Sequence, residues 1–148
     1  MPRRLASFFS PHSDVMTLGV KGIVVNDASE VLLIRHSYYP GWHLPGGGVE
    51  RNERIDQTLC RELKEETGVI VEKPAKLFGI YTNFEAFPGD HVLLFIVDRW
   101  HQDRIPKSNL EILGQRFCTL ANLPEGTTAA TRRRLDEVFN GQERATAW

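Results

Sequence analysis

The chain predicts a single α/β domain in which helices cover a mixed β-sheet. Three observations carry that expectation: short apolar runs rich in β-branched residues, such as TLGVKGIVV at 17–25 and HVLLFIVDR at 91–99; one helical stretch between them; and a second helical stretch that closes the chain. With 148 residues, 41% hydrophobic and 25% charged, the composition suits one soluble core. The expected organisation is an arm or short helix over 1–16, the domain over 17–140, and a frayed tail over 141–148.

Each element follows from local sequence. Residues 17–25 read as a buried strand, and 31–34 as a second one. The turn formers NDAS at 26–29 would join them as a hairpin. Residues 40–48, PGWHLPGGG, hold two prolines and four glycines and should be irregular. A helix is expected over 55–67, with Asn52 or Glu53 near its start and Gly68 as its stop. Strands follow around 69–72, 77–82, 91–99 and, shorter, 117–120. Residues 127–139 form the closing helix, whose run Arg132, Arg133, Arg134 reads as a solvated face.

Charge and composition exclude several function classes. The formal net charge is -1, so no bulk basic field recruits nucleic acid, which argues against a nucleic-acid partner. No apolar run approaches the ~20 residues that span a bilayer, so no membrane role is expected. The N-terminal MPRRLASFFSP is too short in its apolar part for a signal peptide. The two cysteines, Cys60 and Cys118, have no zinc-site spacing and read as free thiols of a cytoplasmic protein.

The chemistry concentrates in GGVERNERIDQTLCRELKEETGV, residues 47–69. With Ile55 at zero and a step of about 100° per residue, Leu59 and Leu63 fall near about 40° and 80°, Glu66 near about 20° and Glu62 near about -20°. Two glutamates therefore share the apolar meridian, and Glu65 flanks them. Carboxylates turned inward need a partner, because desolvating them alone is prohibitive. At i, i+3 and i+4 the oxygens of Glu62, Glu65 and Glu66 can converge on a hard divalent cation. The other reading is an exposed helix held by pairs such as Arg61–Glu65.

The same segment resembles the signature of the Nudix hydrolases. Gly47, Glu53, Arg61, Glu62, Leu63, Glu65, Glu66, Gly68 and Val69 fill its fixed positions, and Leu44-Pro45-Gly46 resembles the usual lead-in. The resemblance implies a Nudix α/β/α sandwich, with a mixed β-sheet between helices, and hydrolysis of a nucleoside diphosphate linked to another moiety, X. It implies Mg²⁺, or Mn²⁺, on Glu62, Glu65 and Glu66, with the Gly46 carbonyl as a further ligand. Gly47, Glu53, Arg61 and Gly68 would brace the loop and helix. The general base is expected to be Glu62 or an acid from a distant loop. Glu85, Asp90 and Glu111 are the candidates there, and Glu111 is preferred, which makes Glu62, Glu65, Glu66 and Glu111 the catalytic set.

Outside the motif, Arg35 and His36 end the second strand and could reach a phosphate, while Trp42 and His43 precede the glycine loop. Arg35, Trp42 and His43 are the candidate substrate contacts, against the plainer readings of strand-end solvation and a core aromatic. Tyr38, Tyr39, Phe84 and Phe87 lie in expected loops where rings could grip a base. His91 is read as the start of a strand. The proline and tyrosine marks of two family branches are missing at 84–87. The expected substrate is a small nucleotide. Removal of pyrophosphate from RNA 5′ ends and a non-catalytic nucleotide sensor are the alternatives, and a homodimer is left open.

Overall fold

A computed structural model describes residues 14–148. The N-terminal arm expected over 1–16 therefore lies almost wholly outside the described residues. Among the described residues nine strands form: β1 (Thr17–Val24), β2 (Val31–His36), β3 (Trp42–His43), β4 (Gly46–Gly48), β5 (Val69–Val71), β6 (Lys76–Thr82), β7 (Asp90–Val97), β8 (Trp100–Gln102) and β9 (Ile112–Cys118). The α-helices among them are α1 (Ile55–Thr67) and α2 (Ala129–Phe139). Strands run β4-β1-β7-β6 in one sheet, β3-β2-β9 in a second, and β5-β8 in a ribbon. β1 and β7 are parallel, whereas β1–β4 and β6–β7 are antiparallel, so the larger sheet is mixed.

Two cores hold the layers together. α1 presses Leu59 and Leu63 against Val20, Val24, Leu32, Leu93 and Val97. Full burial of each leucine contributes about 1.5–3 kcal/mol. Gly22 lets that helix approach, because a Cβ there would meet Leu59 and Leu63 at 3.3 and 3.4 Å. Val20, Gly22 and Val24 thus face α1, and strand alternation turns Lys21 and Ile23 to the other side. There Ile23 joins Leu33, Leu44, Tyr81 and Leu94 beneath Leu135 of α2.

The helix α1 spans the expected residues, and Gly68 ends it at φ 79°. Its start differs, since Arg54 is the N-cap and its N–H donates to Gln57 Oε1 at 3.1 Å. The expected hairpin is absent. β1 has both edges taken, by β4 and β7, so only the single bridge Val25–Val31 joins it to β2. The glycine-rich segment is not wholly irregular either, because β3 and β4 use its backbone at the edges of the two larger sheets.

The tail is docked, not frayed. Thr82 N–H donates to the Thr146 carbonyl and Trp148 N–H to the Thr82 carbonyl, both at 2.8 Å. The tail thereby covers the free edge of β6. Arg134, expected on a solvated face, is fully buried. Its guanidinium lies 4.4 Å from the Tyr81 ring centroid and 5.3 Å from that of Trp148, pairs with Glu137 at 3.0 Å, and donates to the Ala147 carbonyl at 3.1 Å. Glu137 also accepts from Tyr81 Oη at 2.7 Å and Ala145 N–H at 2.9 Å. Burial raises the Glu137 carboxyl, and these donors together outweigh it, leaving its pKa below the ordinary value.

Breaking a buried pair by removing one partner strands a charge, at a cost of about 3–5 kcal/mol. Arg134→Met should therefore lower the urea midpoint by that amount of stability at pH 7, and an unchanged midpoint would contradict the packing role of the pair.

Candidate active site

The site is built where the glycine turn of β4 meets α1. Glu53, just ahead of the helix, accepts from Arg61 Nε at 2.7 Å, Arg61 Nη2 at 3.0 Å and Thr58 Oγ1 at 2.6 Å. The Arg61 hydrogen bonds are the main reason that its pKa falls to about 2. Arg61 continues to Glu62 Oε1 at 3.0 Å, the Gly48 carbonyl at 3.3 Å and Glu65 Oε2 at 3.4 Å. One guanidinium thus ties the turn, the helix start and two of the three motif glutamates together. Its planar fork of donors suits that task.

Glu62 and Glu66 are buried, while the Glu65 side chain is 58% exposed. The inward pair predicted from helical phase is present, but Glu65 points at Arg61 and solvent. Among the described residues, no three His, Cys, Asp or Glu side chains form a ready ligand cluster. Glycine makes room for the pair. A Cβ on Gly47 would overlap the Glu62 carboxylate, and one on Gly46, at φ 150°, would overlap the Val20 carbonyl. The Gly46 N–H instead donates to Glu66 Oε1 at 3.3 Å.

Electrostatics make this pair unusual. Burial pushes both carboxyls above their ordinary pKa; Arg61 opposes this at Glu62, and Lys21 opposes it at Glu66. Glu66 Oε2 is buried without a hydrogen-bond partner. An unmatched buried carboxylate oxygen beside a second carboxylate is a donor set that fits a hard divalent cation.

One ring borders the same carboxylate, and two more stand beside that ring. His36 Nε2 lies 3.8 Å from Glu66 Oε2, and His36, Tyr39 and His43 make mutual edge contacts at centroid separations of 6.1–6.3 Å. Burial, then Lys21 and His43, lower the His36 pKa to about 4, so the ring is neutral at pH 7. Strand pairing decides which neighbours join it. Ile34 pairs with His43 and Arg35 with Trp42, so His36 and His43 share one face of the strand pair and Arg35 and Trp42 take the other. Trp42 packs partly into the second core, with the Arg35 and Arg116 guanidiniums 5.6 and 5.2 Å from its ring centroid. The structure therefore brings His43 to the carboxylates and separates Arg35 and Trp42 from them.

Of the distant acids, Asp90 accepts from Thr17 Oγ1 at 2.5 Å and Asn83 Nδ2 at 3.0 Å, which anchors the turn after β6. Glu85 is exposed. Glu111 is exposed, and its backbone makes its contacts: its carbonyl accepts from Ser37 N–H at 2.9 Å and its N–H donates to Asn109 Oδ1 at 2.8 Å. His91 stands in β7 with its ring 5.2 Å from that of Phe84. The residue that sequence reasoning missed is Lys21. Its signal was a lone charge inside an otherwise apolar strand.

A mixed sheet between helices, with a braced glycine turn feeding paired carboxylates, defines a Nudix-type domain. A sequence model of the NUDIX domain matches residues 16–139, and the chain belongs to that family. It is 38% identical over 86 residues to an ADP-ribose pyrophosphatase of Methanocaldococcus jannaschii, covering 55% of this chain and 50% of that protein. It is 33% identical over 104 residues to an RNA pyrophosphohydrolase of Halorhodospira halophila, covering 70% and 48%. The chain thus spans about half the length of these relatives. Among solved structures, a MutT NUDIX hydrolase from Burkholderia pseudomallei superposes with a TM-score of 0.71 at 27% identity, covering 84% of this chain and 99% of that one. Among the described residues, no helix is long and apolar enough to cross a membrane.

The brace makes a pH prediction. Folding depresses the Glu53 pKa from 4.5 to about 2. The stability that it contributes is complete above the unfolded value and is lost as pH falls through the folded value. Between about pH 4.5 and 2, Glu53→Gln should show a flatter fall in thermal midpoint than the parent protein. Parallel pH profiles would contradict the Glu53–Arg61 assignment.

Proposed function

We propose that the chain is a metal-dependent pyrophosphohydrolase that cleaves a nucleoside diphosphate linked to another moiety, with a small nucleotide as substrate. The observation that carries this reading is the pair Glu62 and Glu66, buried together beneath the Gly46–Gly47 turn with one carboxylate oxygen unmatched. Glu62 and Glu66 would hold Mg²⁺, or Mn²⁺, with Glu65 and the Gly46 carbonyl as the remaining ligands. When bound, the cation neutralises diphosphate charge and lowers the pKa of a coordinated water.

The protein's own groups supply the rest. Glu53 and Arg61 hold the turn against α1, so that the carboxylates keep their positions before substrate arrives. Glu62 or Glu111 takes the proton from the attacking water. Glu62 is already within the carboxylate pair, and the Glu111 carbonyl accepts from the N–H of Ser37, the residue after His36. The rings of His43 and Tyr39 stand against His36, which lies beside Glu66. The name of the M. jannaschii relative supports a small nucleotide substrate. That of the H. halophila relative supports RNA 5′ ends, against which the near-neutral net charge weighs. A non-catalytic sensor is disfavoured by the intact carboxylate motif.

The test is product release from a panel of nucleoside triphosphates, ADP-ribose, nucleotide sugars, dinucleoside polyphosphates and 5′-triphosphate RNA, each with Mg²⁺, with Mn²⁺ and with chelator. Chelator-sensitive cleavage of one class is expected. Binding of nucleotides without cleavage of any of them would move the reading to the sensor. Glu66→Gln should cut kcat by about 10²–10³-fold, the range for removing a preorganised electrostatic group. A kcat within twofold of the parent would remove Glu66 from the site.

A further inference from the structure

Strand β1 carries a half-buried lysine, Lys21, opposite Gly46 of the glycine turn. Lys21 Nζ donates to the Leu44 carbonyl at 3.1 Å, and that is its hydrogen bond among the described residues. An ammonium has three donors, so two remain. Burial lowers its pKa, Glu66, Glu62 and Asp90 oppose that through space, and it closes no ion pair with a carboxylate among the described residues. The spacing has a local cause. Lys21 pairs with Gly46 in the β1–β4 register, and the Gly46 N–H holds Glu66 on the far side of that bare backbone.

Two further buried atoms near this spot lack partners. Glu66 Oε2 has none, and His36 Nδ1 lies near the Glu111 carbonyl without closing a hydrogen bond. Lys21 also acts electrostatically on both His36 and His43. A half-buried lysine with spare donors, a ring with a spare nitrogen and an unmatched carboxylate oxygen therefore border one region. A neutral sugar or base gives an ammonium little reason to be partly desolvated there, because that cost is repaid only by charge or by full hydrogen bonding. An oxyanion meets both needs: it accepts from the ammonium, and it faces the carboxylates through a shared cation.

We propose that Lys21 grips the substrate's diphosphate from the side of β1 away from α1, with His36 as a second donor, opposite Glu62 and Glu66. This assignment rests on the hydrolase reading above and adds to it a residue outside the glutamate motif. The rival role for Lys21 is that of a fixed counter-ion to Glu66, which would affect stability and leave diphosphate binding alone.

The test uses methylenediphosphonate, a diphosphate mimic that is not hydrolysed, in the presence of saturating Mg²⁺. Its affinity is measured by calorimetry for the parent protein and for Lys21→Met, with folding checked by circular dichroism. A charge-assisted hydrogen bond lost at this position should weaken binding by at least about tenfold and raise KM more than it lowers kcat. Equal affinities would overturn the proposal, and so would a parent protein that does not bind the probe. If Lys21→Met does not fold, the Lys21 Nζ resonance of the ¹⁵N-labelled parent decides: it should shift on adding the probe, and a stationary resonance would overturn the assignment. Failure of the hydrolase reading would be seen separately, as no turnover of any diphosphate by the parent protein.

Discussion

Two carboxylates on one buried helix face repel each other and lose their hydration, and most of the local structure is an answer to that cost. Glu62 and Glu66 lie a turn apart on α1 beside Leu59 and Leu63. Burial raises both pKa values, and each is countered by a different cation, Arg61 for Glu62 and Lys21 for Glu66. The glycines of β4 supply space and one N–H donor. The Glu53–Arg61 pair fixes the turn over the helix. Together these groups hold the carboxylates in place without satisfying them completely, a shortfall that the proposed cation would fill.

A second buried charge cluster, around Arg134, has more protein partners. Arg134 and Glu137 are also buried, but Tyr81, Ala145, Ala147 and Trp148 supply partners around them. That network specifies packing: it docks the tail on β6 and ties α2 to the large sheet, with Arg134 Nε left without a hydrogen bond. The cluster under the glycine turn likewise leaves Glu66 Oε2 unmatched.

Much of this was legible in the sequence because it follows from one period. Helical phase alone put Glu62 and Glu66 on the apolar meridian and Glu65 to the side, and the structure buries the first two and exposes the third. Gly68 was readable as a stop because the helix ends in a left-handed residue there. Sheet pairing was less legible, since it depends on contacts distant in sequence. The turn formers after β1 suggested a hairpin, but β4 and β7 take the two edges of β1. Arg35 and Trp42 drew attention as neighbours of the glycine loop, and only the register with β3 shows that they face away from His36 and His43. Arg134 resembled its exposed neighbours because its partners, Tyr81 and Trp148, come from other parts of the chain.

The most direct test of the carboxylate pair as a cation site is a Mn²⁺ titration of the parent protein, Glu62→Gln and Glu66→Gln, followed by the paramagnetic resonance of free Mn²⁺. The account predicts stoichiometric Mn²⁺ uptake by the parent and a loss of at least about tenfold in affinity for each variant, as expected when a charged donor is removed from a buried oxygen site. Equal Mn²⁺ affinity in all three folded proteins would contradict it.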